Sequence, residues 1–147
     1  MGLVLDREAL SAYLDEIFPQ FANDFDITGL AAMEISTRMA THAQHARPGG
    51  TISGPTIFAM ADLTFYALVL SMIGRTSLAV TTNCTIDFMR KPAAEAALTA
   101  DARLLKLGRV LVVGDVLIQS EGSDKIVARA SLTYSIPPAG SAAAQAG

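Results

Sequence analysis

Between Thr56 and Ile73 the chain carries a single charged residue, Asp62, in an otherwise apolar run. A turn punctuated by glycine and proline, Arg47-Pro-Gly-Gly-Thr-Ile-Ser-Gly-Pro55, leads straight into it. The run predicts a long helix, apolar on nearly all sides. Such a helix is either a membrane span or the centre of a core. Its length sits near the lower limit of ~18 residues for a span, and Asp62 would then lie in hydrocarbon at substantial cost. The strand-rich sequence that follows can wrap it instead, so a core helix is expected. A carboxylate on that helix is expensive to bury unless something pairs with it or uses it. At the front of the helix, free backbone N–H groups and the positive dipole end suit a developing negative charge. An anion hole at a helix start, with a carboxylate in reach, suggests acyl-transfer chemistry.

The remaining elements follow from periodicity. Residues 6–18 read as a short amphipathic helix capped by Asp6, with Leu10, Tyr13, Leu14 and Ile17 on one face and Pro19 ending it. Leu30 to Met39 reads as one strand, Met33, Ile35, Thr37 and Met39 alternating with Glu34, Ser36 and Arg38. A loop holding His42 and His45 precedes the long helix, and Gly74 closes that helix. Leu78 to Met89 alternates, with Leu78, Val80, Thr82, Cys84, Ile86 and Phe88 on an apolar face and Ala79, Thr81, Asn83, Thr85 and Asp87 on the other. Ala97 to Leu107, Val110 to Gln119 and Lys125 to Ile136 continue as strands, joined by turns at Gly108-Arg109 and Glu121 to Asp124. The expected architecture is α+β, one antiparallel sheet wrapped around one long central helix, in a single domain over residues 1–136. Residues 137–147, rich in alanine, glycine, proline and serine, are expected to be disordered. One sheet face and the sheet edges need cover, so at least a homodimer is expected.

Composition removes several classes. With 147 residues and a net charge of −3, the chain has no basic patch to recruit nucleic acid. The one cysteine, Cys84, rules out an intramolecular disulfide and multi-cysteine zinc sites, which fits a reducing cytoplasm. Asp6, Arg7 and Glu8 break any basic-then-apolar signal pattern at the N-terminus.

Three stretches resemble the hotdog-fold acyl-CoA thioesterases, in particular the branch of the phenylacetate-pathway (PaaI-like) enzymes. They are Gly50-Thr-Ile-Ser-Gly-Pro-Thr-Ile-Phe-Ala-Met-Ala-Asp62, Thr85-Ile-Asp-Phe-Met-Arg-Lys-Pro92, and Leu107-Gly-Arg109 between two long strands. The family's motif is G-x-x-H-G-G followed by a catalytic Asp or Glu. Here Ser53-Gly54-Pro55 stands in place of His-Gly-Gly, and Arg47 in place of an Asn that often precedes it. The resemblance implies hydrolysis of an acyl-CoA thioester with no cofactor beyond the coenzyme A of the substrate. It also implies a site at a dimer interface and a homotetramer built from two dimers.

Residue by residue, Asp62 maps to the carboxylate that activates water or attacks the thioester carbonyl. Its bland alternative is a buried Asp bonded to Thr64, Tyr66 or a neighbouring strand. Gly54 would give its N–H to the oxyanion, unless it serves only the tight turn. Of Thr81 and Thr82 only one can face the site; Thr81 is chosen because its face also holds Asn83 and Asp87, against the reading of two β-branched strand fillers. Ser53 and Pro55 line the motif, with Pro55 at the first helical position. Arg90, Lys91 and Arg109 could meet the phosphates of coenzyme A, or simply be solvated. No metal site is indicated: His42 and His45 read as surface residues, His45 at most lining the entrance, and Cys84 as core. Phe58, Phe65 and Tyr66 would line an acyl pocket. Two other functions fit the same fold: a non-catalytic acyl-CoA or lipid-binding module, and a hydratase or dehydratase pairing Asp62 with His45.

Overall fold

The apolar run folds as helix α2 (Gly54–Ile73) in a computed structural model that describes residues 2–76 and 78–138. Its ends follow local chemistry. Ser53 is the N-cap, with its Oγ accepting the Thr56 N–H at 3.4 Å. Pro55 falls at the second helical position rather than the first, still within the turn whose N–H groups have no helical acceptor. Gly74, at φ 91°, ends the helix and donates to the Leu70 carbonyl at 2.8 Å. Met60, Ala61, Phe65, Ala67, Leu68, Val69 and Leu70 are fully buried, which is why no polar face shows in the sequence. By length and composition α2 could cross a membrane, but protein covers most of it. The shorter helix α1 (Arg7–Ile17) is capped by Asp6, whose Oδ1 accepts from the Ala9 N–H at 2.8 Å, and buries Leu10, Tyr13 and Leu14. Of the tail expected to be disordered, residues 139–147 lie outside the described residues.

Six antiparallel strands form one sheet in the order β1-β2-β4-β5-β6-β3. They are β1 (Phe25–Ala31), β2 (Glu34–Met39), β3 (Val80–Phe88), β4 (Leu98–Leu107), β5 (Leu111–Ser120) and β6 (Ile126–Ser135). The sheet wraps α2, with β2, β4 and β5 beneath the helix. Ile35, Leu98, Ala100, Val112, Val116, Ile118, Ala130 and Leu132 supply buried side chains to that side. Both ends of the sheet, β1 and β3, are edges.

Two readings of the sequence are corrected. The single strand over Leu30–Met39 is a hairpin, with β1 and β2 joined at Ala32-Met33. Met33 turns the chain at φ 68°, a conformation that short hairpin loops normally give to Gly or Asn. In the expected strand it was an alternating inward residue. Within β3, Thr81 pairs with Tyr134 and Asn83 with Thr133, leaving Thr82 as an extra residue, a β-bulge. The bulge resets the alternation: Thr81, Cys84 and Ile86 turn inward, while Asn83 and Asp87 turn out. Thr81 therefore does not share a face with Asn83 and Asp87. Val80 and Phe88, expected on the apolar face, are 54% and 53% exposed on the sheet edge.

Close packing of α2 on the sheet depends on Gly114. A Cβ there would lie 2.6 Å from Phe65 Cε1 and would also strike the Arg103 carbonyl oxygen across the β4–β5 ladder. Because one of the two neighbours is backbone, Gly114→Ala is expected to cost about 3 kcal/mol, read as a lowered midpoint in thermal or urea unfolding.

Candidate active site

Asp62 lies two turns into α2, on the stripe Phe58, Ala59, Asp62, Leu63 and Tyr66 that lines a cleft of about 530 Å³. Phe18 and Phe21 close it from the segment after α1, Ala79 from the approach to β3, and Val80, Thr81 and Tyr134 from the sheet. Asp62 is neither an isolated charge nor a partner of Thr64. Its Oδ1 accepts the Thr81 hydroxyl at 2.7 Å and the Tyr134 phenol at 2.7 Å. That phenol also lies 3.1 Å from the Asp62 main-chain oxygen. Thr64 instead pairs with Thr37 at 2.8 Å, deep in the core. Among the described residues nothing donates to Asp62 Oδ2.

Tyr134 is buried, 2% exposed, with its ring 5.0 Å from Phe65 and 6.1 Å from Tyr66. Burial, then the Asp62 charge, push its phenol well above the usual range, and burial pushes Tyr66 up to about 12. Both phenols are protonated donors at neutral pH. The bulge explains why Thr81, and not Thr82, reaches the carboxylate: Thr82 Oγ1 donates to the Thr133 carbonyl at 3.2 Å on the exposed side. Phe65, expected to line the pocket, is fully buried beneath Tyr134. Cys84 is half-buried, and burial raises its thiol pKa, as suits a packing residue.

Gly54 belongs to a second cleft, of about 380 Å³, with Arg47, Ile52, Phe88, Arg90 and Lys91 among its lining residues. In the first turn of α2, Pro55 has no N–H, the Thr56 N–H goes to the Ser53 cap and the Ile57 N–H to the Ser53 carbonyl. Gly54 holds the one N–H of that turn without an acceptor among the described residues. Ser53 spends its hydroxyl on the cap, at 2.8 Å from Thr56 Oγ1. Arg90 Nε donates to the Ile126 carbonyl at 2.9 Å, and Lys91 is exposed beside it. Arg109 stands apart in the β4–β5 turn, near the Val80 end of the sheet, because Leu111 pairs with Ser135 and Ser135 with Val80.

The two clefts are separate in one protomer. Eight residues of helix put Gly54 and Asp62 about 12 Å apart along the axis, too far for both to touch one carbonyl. Gly54 sits against the Phe88 ring, and Asp62 against Thr81, so the half-sites mark opposite ends of edge strand β3. The histidines belong to neither: His42 Nε2 pairs with Asp24 Oδ1 at 2.7 Å, and His45 Nδ1 accepts the His42 N–H at 2.8 Å. Among the described residues no three His, Cys, Asp or Glu side chains gather as a metal site.

A long helix held in an antiparallel sheet of this order is the hotdog fold. The sequence profile of the thioesterase superfamily matches residues 49–127, which hold Gly54, Asp62 and Thr81, and the chain belongs to that family. It is similar to a candidate thioesterase from Silicibacter sp. TM1040, with 56% identity, TM-score 0.87, and coverage of 94% of this chain and 96% of that one. The PaaI protein of the Escherichia coli phenylacetic acid degradation operon shares 26% identity at TM-score 0.70, over 88% of this chain and 96% of that one. A Streptococcus mutans protein bound to acetyl-CoA superimposes with TM-score 0.69 at 21% identity, over 78% and 89%. No curated protein sequence matches this chain.

Proposed function

We propose that the protein hydrolyses acyl-CoA thioesters at a site shared by two subunits. The observation that carries this reading is Asp62, with one oxygen tied by two hydroxyls and the other, in an aromatic-lined cleft, without a donor among the described residues. Membership of the thioesterase superfamily and a structural neighbour bound to acetyl-CoA support it. Antiparallel pairing of β3 edges about a two-fold axis would set one protomer's Phe88 end beside its partner's Val80 end, and so Gly54 beside the partner's Asp62. Exposed Val80, Phe88, Met89 and Phe58 give this interface its apolar surface. Two such dimers would form the tetramer.

In this arrangement the thioester oxygen points at the Gly54 N–H. Asp62 takes a proton from water as the water oxygen bonds to the carbonyl carbon, or attacks that carbon itself. The resulting oxyanion rests on the Gly54 N–H at the positive end of α2. Collapse breaks the carbon–sulfur bond. On the water route coenzyme A leaves with the proton Asp62 took. On the direct route it leaves as the thiolate, after which water cleaves the acyl–Asp62 anhydride to the free acid, regenerates the carboxylate and supplies the thiol proton. Arg90, Lys91 and, from the opposite end of the sheet, Arg109 would meet its phosphates. The steps use a carboxylate, an N–H and water. The free thiol of Cys84 accords with a cytoplasmic setting.

Thiol release from short-chain, medium-chain and aromatic acyl-CoAs tests this, alongside equilibrium binding of the same compounds. Turnover of at least one is expected. Binding without turnover would overturn the reading in favour of a binding module, and water addition to an enoyl-CoA, lost in His45→Ala, in favour of a hydratase.

A further inference from the structure

We propose that Tyr134 is a positioning residue that fixes the Asp62 carboxylate so that Oδ2 alone faces the acyl group. This rests on the thioesterase reading above.

Three observations converge on Tyr134. Its phenol lies 2.7 Å from Asp62 Oδ1 and 3.1 Å from the Asp62 main-chain oxygen, so one hydroxyl holds both the side chain and its place on the helix. Thr81, the register partner of Tyr134, donates to the same Oδ1 at 2.7 Å from the opposite strand. Oδ1 thus receives two hydroxyls, and Oδ2 keeps its lone pairs for the cleft. The phenol is itself closely packed: its ring is 2% exposed and lies 5.0 Å from Phe65, and Phe65 is backed by Gly114, where a Cβ would clash. The chain Gly114–Phe65–Tyr134–Asp62 carries the rigidity of the sheet into the carboxylate. A carboxylate on a long apolar helix would otherwise rotate about its own bonds, and misplacement by about 1 Å costs catalysis on the order of 100-fold.

Tyr134→Phe keeps the ring and removes the tether. It is expected to lower kcat by about 10- to 100-fold, with KM within about twofold, because one hydrogen bond to a charged group is lost. In an Asp62→Asn background the same change is expected to add no further loss, since it acts through the carboxylate. A crystal structure of the variant should show the Asp62 carboxylate in more than one orientation, with Thr81 as its one remaining tether. Should Tyr134→Phe fail to fold, Thr81→Val carries the same test on the other donor. Full kcat in both tether variants, with Asp62→Asn dead, would overturn the positioning role and leave the thioesterase reading standing. An additive loss in the double variant would make Tyr134 merely structural. Full activity in Asp62→Asn, or no turnover of any acyl-CoA by the native protein, would overturn both.

Discussion

Asp62→Asn is expected to lower thioester turnover by about 10²- to 10⁴-fold, the usual worth of a positioned acid–base group. The substitution is nearly isosteric, and its consequences can be traced atom by atom. The amide oxygen takes the place of Oδ1 and can still accept from Thr81 and Tyr134, which lie 2.7 Å from Oδ1 in the native chain. The amide nitrogen then faces the cleft in place of Oδ2, where it can neither accept a proton nor attack a carbonyl. Folding and ligand affinity should therefore be nearly unchanged. Steady-state thiol release, with unfolding curves for both proteins, checks this. A variant with native kcat would reduce Asp62 to a strand-bonded structural residue.

Gly54→Pro is expected to lower kcat by about 10²- to 10³-fold, near 3 kcal/mol of barrier, as loss of one oxyanion donor does elsewhere. The first helical position admits proline, at the cost of a helical residue that carries a Cβ directly before Pro55, a cost the alanine control shares. Gly54 is the first residue of α2, where proline's fixed φ suits the helix and its missing N–H leaves no helical bond unmade. The preceding Ser53 is already extended, at φ −70° and ψ 151°, as residues before proline prefer. Gly54→Ala is the matched control. It keeps the N–H, and its Cβ would meet Phe88 Cζ at 3.6 Å, an ordinary contact. The alanine variant should retain most activity while the proline variant loses it, each measured as kcat and KM on the best acyl-CoA. Equal activity in both would remove the Gly54 N–H from the mechanism.

The parts of this molecule readable from sequence are those whose local chemistry and tertiary role agree. The all-apolar run of α2, its Gly74 boundary and the alternation in β4, β5 and β6 all point the same way. Asp62 stood out in the sequence because a charge on such a helix is costly to bury without partners; the strand hydroxyls that pair with it did not. The β1–β2 hairpin was hidden because Met33, and not Gly or Asn, takes the positive φ of its turn. The bulge at Thr82 was hidden because it changes register without changing composition; Thr81, and not Thr82, bonds to Asp62, but away from the face with Asn83 and Asp87 on which it was expected. Tyr134 was missed altogether. It lies 72 residues from Asp62 in sequence, and an aromatic residue inside a strand carries no local sign of a phenol aimed at a carboxylate.

The central claim is a site divided between two subunits, and complementation between dead variants tests it most directly. Asp62→Asn and Gly54→Pro chains, carrying different affinity tags, are co-expressed and the mixed dimer is isolated. One of its two sites then pairs an intact Gly54 with the partner's intact Asp62, while the other has neither. The mixed dimer is expected to regain about half of the native turnover, although both parents are nearly inactive. A mixed dimer as inactive as its parents would show that Gly54 and Asp62 do not combine across two subunits and would contradict the account.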